Sequence, residues 1–351
     1  MFLALERAGY KRGLTYQTLP YNYVKSYRNN ELKRIFTPNL ERLYKITGKK
    51  VTIFAHSLGN LNILHQLNGL PQDYKDKHIK VWVAATPPFL GAMQATKCVL
   101  GGDDEYFYFH SIGFHFEGSS KSVGSFPVMF ELFQKNMYKM YQNEEWFEWI
   151  QKRLDYENGK IKFEDSGMTF WPKITEECTP NTFTNITPKC TSGLFDLRER
   201  PSVTVEHNNK KYYLDDPFEV VKDWPLHEFS VDYFKMFFDE EFFKLANPGV
   251  PVLLIYSKSN DTIAQSNYKG KISNYTEQNM YPPADDVMGY GDGTVGSNSP
   301  LFPGIKWAYE FENKEKYGDE GKDFKVSFSI FCEQEFSLLI KIYFLIFWQR
   351  C

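Results

Sequence analysis

The chain has 351 residues, with 41 Lys+Arg against 44 Asp+Glu and a formal charge of −3. That near-balance argues against nucleic acid as the main partner, because phosphate binding needs clustered excess cations. Hydrophobic residues make up 42% and aromatics 17%, so a cored protein is expected and wholesale disorder is excluded. Five cysteines are too few and too scattered for a disulfide framework, and no CxxC pair points to structural zinc.

The first hundred residues read as alternating helix and strand. Phe2 to Ala8 is expected to end a helix at Gly9, LPYNYV (19–24) to form a short strand, and Asn30 to Thr47 an amphipathic helix closed by Gly48. VTIFA (51–55) is a continuous apolar run of the kind that fills a parallel sheet, Leu58 to Leu67 returns to helical spacing, and IKVWVAA (79–85) is a second such strand. This alternation predicts an α/β fold with a mostly parallel sheet. From about Cys98 to Pro248 the pattern gives way to aromatic-rich segments such as EYFYFHSIGFHF and WFEWI, read as an inserted cap. Sheet character resumes at VPVLLIY (250–256) and KVSFSIF (325–331). The expected organisation is a core segment 1–100, a cap 101–248 and a second core segment 249–351 that completes the sheet.

Between VTIFA and the next helix stands Ala55-His56-Ser57-Leu58-Gly59. A serine on a tight strand-to-helix turn is forced into strained backbone geometry that exposes its hydroxyl above the sheet, with small residues two before and two after it. Ser57 is therefore the candidate nucleophile, and the alternative is a serine capping the following helix. The backbone N–H of Leu58, at that helix N-terminus, is the candidate oxyanion donor. His56 is expected to point into the sheet packing rather than to act as a base. An acid to orient a histidine has two candidates, Asp261 in SKSND and Asp292 in Gly291-Asp292-Gly293-Thr294-Val295, where flanking glycines permit a sharp turn. Either could instead be a turn aspartate bonded to its own backbone.

LERAGYKRG, LPYNY, KKVTIFAHSLGN, AATPPFLGAMQATKCVLGGDD, GVPVLLIY and YGDGTV occur in an order and spacing that resembles the lecithin:cholesterol acyltransferase family. That family includes lysosomal phospholipases and phospholipid:diacylglycerol acyltransferases. The resemblance is strongest over residues 1–104 and 249–307. It implies an α/β-hydrolase fold with helices on both faces of the sheet, and a serine acyl-enzyme mechanism on glycerophospholipids. Ser57 would be the nucleophile, Leu58 an oxyanion donor and Asp292, rather than Asp261, the acid. It further implies a lipid or membrane surface as the working partner, a sterol, another alcohol or water as acyl acceptor, no metal or cofactor, and a secreted, lysosomal or other lumenal location. Sequence departs from the pattern in three places. Asn22 stands where the family commonly has aspartate, and the family's first core strand, with its oxyanion loop, is not found. All seven histidines (56, 65, 78, 110, 115, 207 and 227) precede Asp292, whereas a triad of this fold runs Ser, Asp, His; the catalytic histidine is unknown. His227, or a histidine of FHSIGFHF, is considered as a substitute in space.

MFLALERAGYKRG turns charged too early for a signal peptide. FSLLIKIYFLIFWQRC, about 16 residues with Lys341 inside, falls short of the ~20 of a spanning helix. It is expected to be a buried element or a stretch that replaces the family's own ending, which the heavy use of Phe, Tyr, Ile, Lys and Asn favours. Sequons at Asn185, Asn260 and Asn274, and a Cys178–Cys190 disulfide, would suit an oxidising compartment. Two other classes of function stand beside the lipid enzyme: a lipid-surface binding relative that kept the fold and lost the chemistry, and a serine esterase acting on soluble esters.

Overall fold

The computed structural model describes residues 2–29, 31–96, 127–132, 203–207, 210–213, 244–257, 260–268, 284–312 and 326–331, with isolated positions at 148, 152, 155, 161, 162 and 164. The helices are α1 (Phe2–Arg7), α2 (Leu32–Thr47), α3 (Gly59–Asn68), α4 (Gln72–His78), α5 (Pro127–Glu131) and α6 (Asn298–Glu312). The strands are β1 (Val51–His56), β2 (Ile79–Ala85), β3 (Val203–His207), β4 (Lys210–Tyr213), β5 (Val252–Ser257), β6 (Asn260–Tyr268), β7 (Ala284–Gly291) and β8 (Val326–Phe331).

β1, β2, β5 and β8 form one sheet in that order, every neighbouring pair parallel. The chain is thus a mixed α/β protein built on a parallel sheet. Ile53, Ala55, Trp82, Val83, Val252 and Leu254 are buried in it, which is why its strands are apolar runs of the sequence. Helix α2 lays Leu32, Phe36, Leu40 and Leu43 into the core at intervals of three and four residues. It stops at Gly48, whose left-handed conformation (φ 65°) returns its N–H to the Tyr44 carbonyl. Trp82, Phe89 and Trp307 pack with ring centroids 5.5 to 6.2 Å apart and lock α6 against β2.

A second sheet, ordered β4-β3-β6-β7, holds the antiparallel pair β6–β7 that runs straight into the Gly291–Val295 loop. Asp261 lies inside this ladder opposite Tyr290, and not in a loop after β5. The sequon residue Asn260 likewise begins β6. LPYNYV is not a strand. Pro20 offers no N–H to a ladder, and Asn22 folds the chain back locally, its side-chain oxygen accepting the Val24 N–H at 3.1 Å. The segment instead passes irregularly into a single 3₁₀ turn, Tyr27–Asn29.

Part of the expected cap is packed directly on the core. In α5, Val128 and Met129 are buried, Tyr27 donates its backbone N–H to the Glu131 carboxylate at 3.3 Å, and the following Leu132 carbonyl accepts the Ala92 N–H at 2.9 Å. The chain re-enters the parallel sheet at Pro248-Gly249, where Lys75 and Gln72 of α4 hydrogen bond the two successive carbonyls at 3.1 and 2.8 Å. His110, His115, Cys178, Cys190, His227 and the segment 335–351 lie outside the described residues. Among the described residues no helix is long and apolar enough to cross a membrane.

Candidate active site

His56 pairs with Ala85 across β1 and β2, so Ser57 and Thr86 leave the sheet side by side at its carboxyl edge. Both are held at positive φ, 49° for Ser57 and 42° for Thr86. For residues other than glycine this region costs about 1–2 kcal/mol each, and such strain collects where the surrounding structure imposes it. At Ser57 the surroundings do so through three contacts. Its N–H donates to the Ala85 carbonyl at 3.0 Å, and its carbonyl accepts both the backbone N–H and the side-chain Nδ2 of Asn60 at 3.0 Å. The half-buried Ser57 hydroxyl has no hydrogen-bond partner among the described residues. It does not cap α3, whose N-cap residue is Leu58.

The Leu58 N–H also has no partner among the described residues. It sits at the first turn of α3, where unpaired N–H groups and the helix dipole both favour negative charge. Ala55 and Gly59 are both buried. A methyl group on Gly59 would lie 3.7 Å from the Tyr21 ring and hydroxyl and 3.9 Å from Ala55. These are ordinary contacts, so the elbow tolerates alanine here and a larger side chain meets Tyr21. Burial raises the Tyr21 pKa above its usual value, which keeps that hydroxyl protonated and a potential donor beside the elbow. Neither Tyr21 nor Asn60 was singled out from the sequence. Reading Asn60 required knowing that the Ala85 carbonyl lies beside it.

His56 departs from expectation: its side chain is exposed at the end of β1 and is not part of the sheet packing. Alternation along β1 buries Ile53 and Ala55, which puts residue 56 on the other side, at the last position of the strand. The ring still loses enough water to hold its pKa below the usual histidine value, and the negative charge of Asp292 opposes that shift. Asp292 is therefore within electrostatic reach of the residue next to Ser57.

Asp292 is held by its own turn. Oδ1 accepts the N–H groups of Thr294 at 2.9 Å and Val295 at 2.7 Å. The turn-aspartate role foreseen as an alternative is thus filled by one oxygen, and a triad uses one oxygen on the base. The two glycines serve different ends. Gly293 adopts φ 99°, whereas at Gly291 a Cβ would collide with the Thr262 side chain and sit 2.5 Å from the Val295 carbonyl. Thr262 in turn accepts the Gly293 N–H at 2.8 Å, so β6 positions the loop from below. Beyond the loop, Ser297 donates to the Ser257 carbonyl at 2.8 Å. Ser299 accepts the Leu90 N–H at 2.9 Å and donates to the Gly91 carbonyl at 3.0 Å. These bonds tie the Asp292 loop and the start of α6 to the end of β5 and to the segment that follows β2.

Two other described histidines are engaged in packing. His65, about 9 Å further along α3 from Gly59 at 1.5 Å per residue, lies against the Tyr27 ring at 4.9 Å. His78 is buried between Tyr44 and Tyr74, with Nδ1 3.0 Å from the Tyr74 carbonyl. No triad base is identified among the described residues. Among the described residues no cluster of His, Cys, Asp and Glu could hold a metal ion.

Residues 1–318 match the family model for lecithin:cholesterol acyltransferase. The chain is 33% identical over 101 residues to the lysosomal phospholipase A and acyltransferase of Bos taurus, covering 27% of this chain and 24% of that protein. It is 31% identical over 98 residues to the phosphatidylcholine-sterol acyltransferase of Mus musculus (28% and 22%). With the lecithin-cholesterol acyltransferase-like 4 protein of Arabidopsis thaliana it shares 34% over 85 residues (24% and 16%). The matched stretches span about a quarter or less of these relatives. With the family model covering all but the last 33 residues (351 − 318), the chain belongs to the lecithin:cholesterol acyltransferase family.

Proposed function

We propose that the protein is a lipid acyltransferase or phospholipase that takes an acyl chain from a glycerophospholipid onto Ser57 and passes it to a sterol, another alcohol or water. The observation that carries this reading is the strained Ser57 at the β1–α3 turn, with the unpaired Leu58 N–H beside it. Ser57 Oγ attacks the ester carbonyl and its proton passes to a base. The carbonyl oxygen becomes an oxyanion that accepts the Leu58 N–H, and collapse expels the lysophospholipid alkoxide, which takes up the proton. The acceptor hydroxyl then attacks the acyl-serine by the same steps in reverse. One such oxyanion donor contributes on the order of 3 kcal/mol to the transition state. Asp292 orients the base and stabilises its positive charge. The names of the relatives support a phospholipid donor and a lysosomal setting, and a lipid surface as working partner is part of the proposal.

A second reading, a lipid-surface binding protein without chemistry, starts from the order of residues within 1–351, where all seven histidines precede Asp292. Loss of the base lowers a serine enzyme's rate by several powers of ten. The two readings separate in one assay, acyl release from phosphatidylcholine vesicles by the 351-residue protein with and without added imidazole as a diffusible base. The enzyme reading expects slow release that imidazole accelerates and Ser57→Ala abolishes. Vesicle binding with no Ser57-dependent release establishes the binding protein. Release from water-soluble esters in preference to vesicles points to the esterase.

A further inference from the structure

The side chain of Asn60 is fully buried and donates twice. Its Nδ2 reaches the Ser57 carbonyl at 3.0 Å and the Ala85 carbonyl at 2.9 Å. Two carbonyl acceptors on one side leave no ambiguity about which end of the amide faces them. The other end, Oδ1, is buried with no partner among the described residues. Asn60 is not a helix cap, since a capping side chain accepts an N–H, whereas this one donates and strands its acceptor. An apolar residue would avoid that unsatisfied oxygen. The fold alone does not account for asparagine here.

The bond to Ser57 acts on the next atom along. In a planar trans peptide the C=O and the N–H point in opposite directions. The peptide that carries the Ser57 carbonyl also carries the Leu58 N–H. Held by the Asn60 backbone N–H alone, through a bond spanning only three residues, that peptide can tilt. Nδ2 adds a second bond to the same carbonyl from another direction, so a tilt must break it, and the Ala85 carbonyl, which also accepts the Ser57 N–H, holds the Asn60 amide in place.

We propose that Asn60 is a positioning residue that fixes the plane of the Ser57–Leu58 peptide and so aims the Leu58 N–H at the developing oxyanion. This rests on the reading of Ser57 as nucleophile. Asn60 touches neither substrate nor the reacting atoms.

The test compares Asn60→Ala and Asn60→Ser with the wild type, in imidazole-containing buffer well below the melting temperature, by the rate at which a fluorophosphonate probe labels Ser57. A serine hydroxyl in the first helical turn can donate to the carbonyl three residues back and reaches the Ser57 carbonyl, but it is too short for Ala85. Asn60→Ala is expected to label about tenfold or more slowly, a fraction of the 10²–10³ lost when an oxyanion donor is removed outright. Asn60→Ser recovers most of that rate although it melts below the wild type. A purely structural role moves melting temperature and leaves labelling of the folded fraction unchanged, and that result overturns the proposal. Equal slowing in both variants also overturns it, because the bond to Ser57 would not then carry the effect. If the wild type is not labelled at Ser57, the nucleophile reading fails by itself. The crystal structure of Asn60→Ala then decides the positioning claim: a rotated Ser57–Leu58 peptide upholds it, and an unmoved one overturns it.

Discussion

Replacing Ser57 by glycine removes the hydroxyl proposed as nucleophile and should at the same time stabilise the protein. Ser57 sits at φ 49°, where an L-residue other than glycine carries about 1–2 kcal/mol of strain. Glycine relieves that strain and loses roughly 0.5–1 kcal/mol through the greater freedom of the unfolded chain. The serine hydroxyl makes no hydrogen bond among the described residues, so its removal subtracts little. The balance is a gain of up to about 1.5 kcal/mol for Ser57→Gly, centred near ~0.75. Ser57→Ala keeps the strained backbone and is expected within about 0.5 kcal/mol of the wild type. For a chain of this size the glycine variant should melt about 1–3 °C above the alanine variant. Paired thermal and denaturant unfolding of the two variants measures the difference directly. A glycine variant less stable than the alanine variant would refute the claim that the elbow imposes strain on Ser57.

Three further outcomes follow from the acid loop and the start of α3. Asp292→Asn removes the charge that raises the His56 pKa, so the histidine should titrate at still lower pH in NMR of the imidazole protons; an unmoved titration places Asp292 away from the elbow. Because His56 is already depressed in the folded state, stability is lost as pH falls below the ordinary histidine value near ~6.5, and Asp292→Asn should steepen that loss. Gly291→Ala drives a methyl into Thr262 and the Val295 carbonyl and is expected to cost about 1–3 kcal/mol, with loss of vesicle-dependent activity; wild-type unfolding and activity would refute the packing described for the loop. Gly59→Ala meets only ordinary contacts and should be neutral or stabilising by up to about 1 kcal/mol, and a loss of more than that in denaturant unfolding would show the elbow to be tighter than the structure has it.

How much of this was legible in the sequence depended on what each segment packs against. β1, β2, β5 and β8 form the parallel sheet, and VTIFAH, IKVWVAA, VLLIYS and VSFSIF announce it by their predominantly apolar character. NDTIAQSNY and ADDVMGYG form β6 and β7 with mostly polar residues. Their pairing comes from the antiparallel ladder between them, which no local pattern displays. LPYNYV misled because Tyr and Val favour strands, while the Asn22 side chain turns the backbone within two residues. The elbow was legible because its chemistry demands a short, contiguous motif between strand and helix. Asn60 stands three residues beyond Ser57 and was not legible, because its role depends on a carbonyl 25 residues away. Asp292 could be favoured over Asp261 only by resemblance, since both sit in turn-like sequence. The structure separates their surroundings, placing Asp261 in a strand and Asp292 in a loop that reaches the elbow.

The most direct test of the account is to expose the 351-residue protein to a fluorophosphonate probe with imidazole present and to map the adduct by mass spectrometry. The account predicts one adduct on Ser57, absent from Ser57→Ala and lost on prior denaturation. A folded, vesicle-binding protein that carries no label on Ser57 at any imidazole concentration would contradict it.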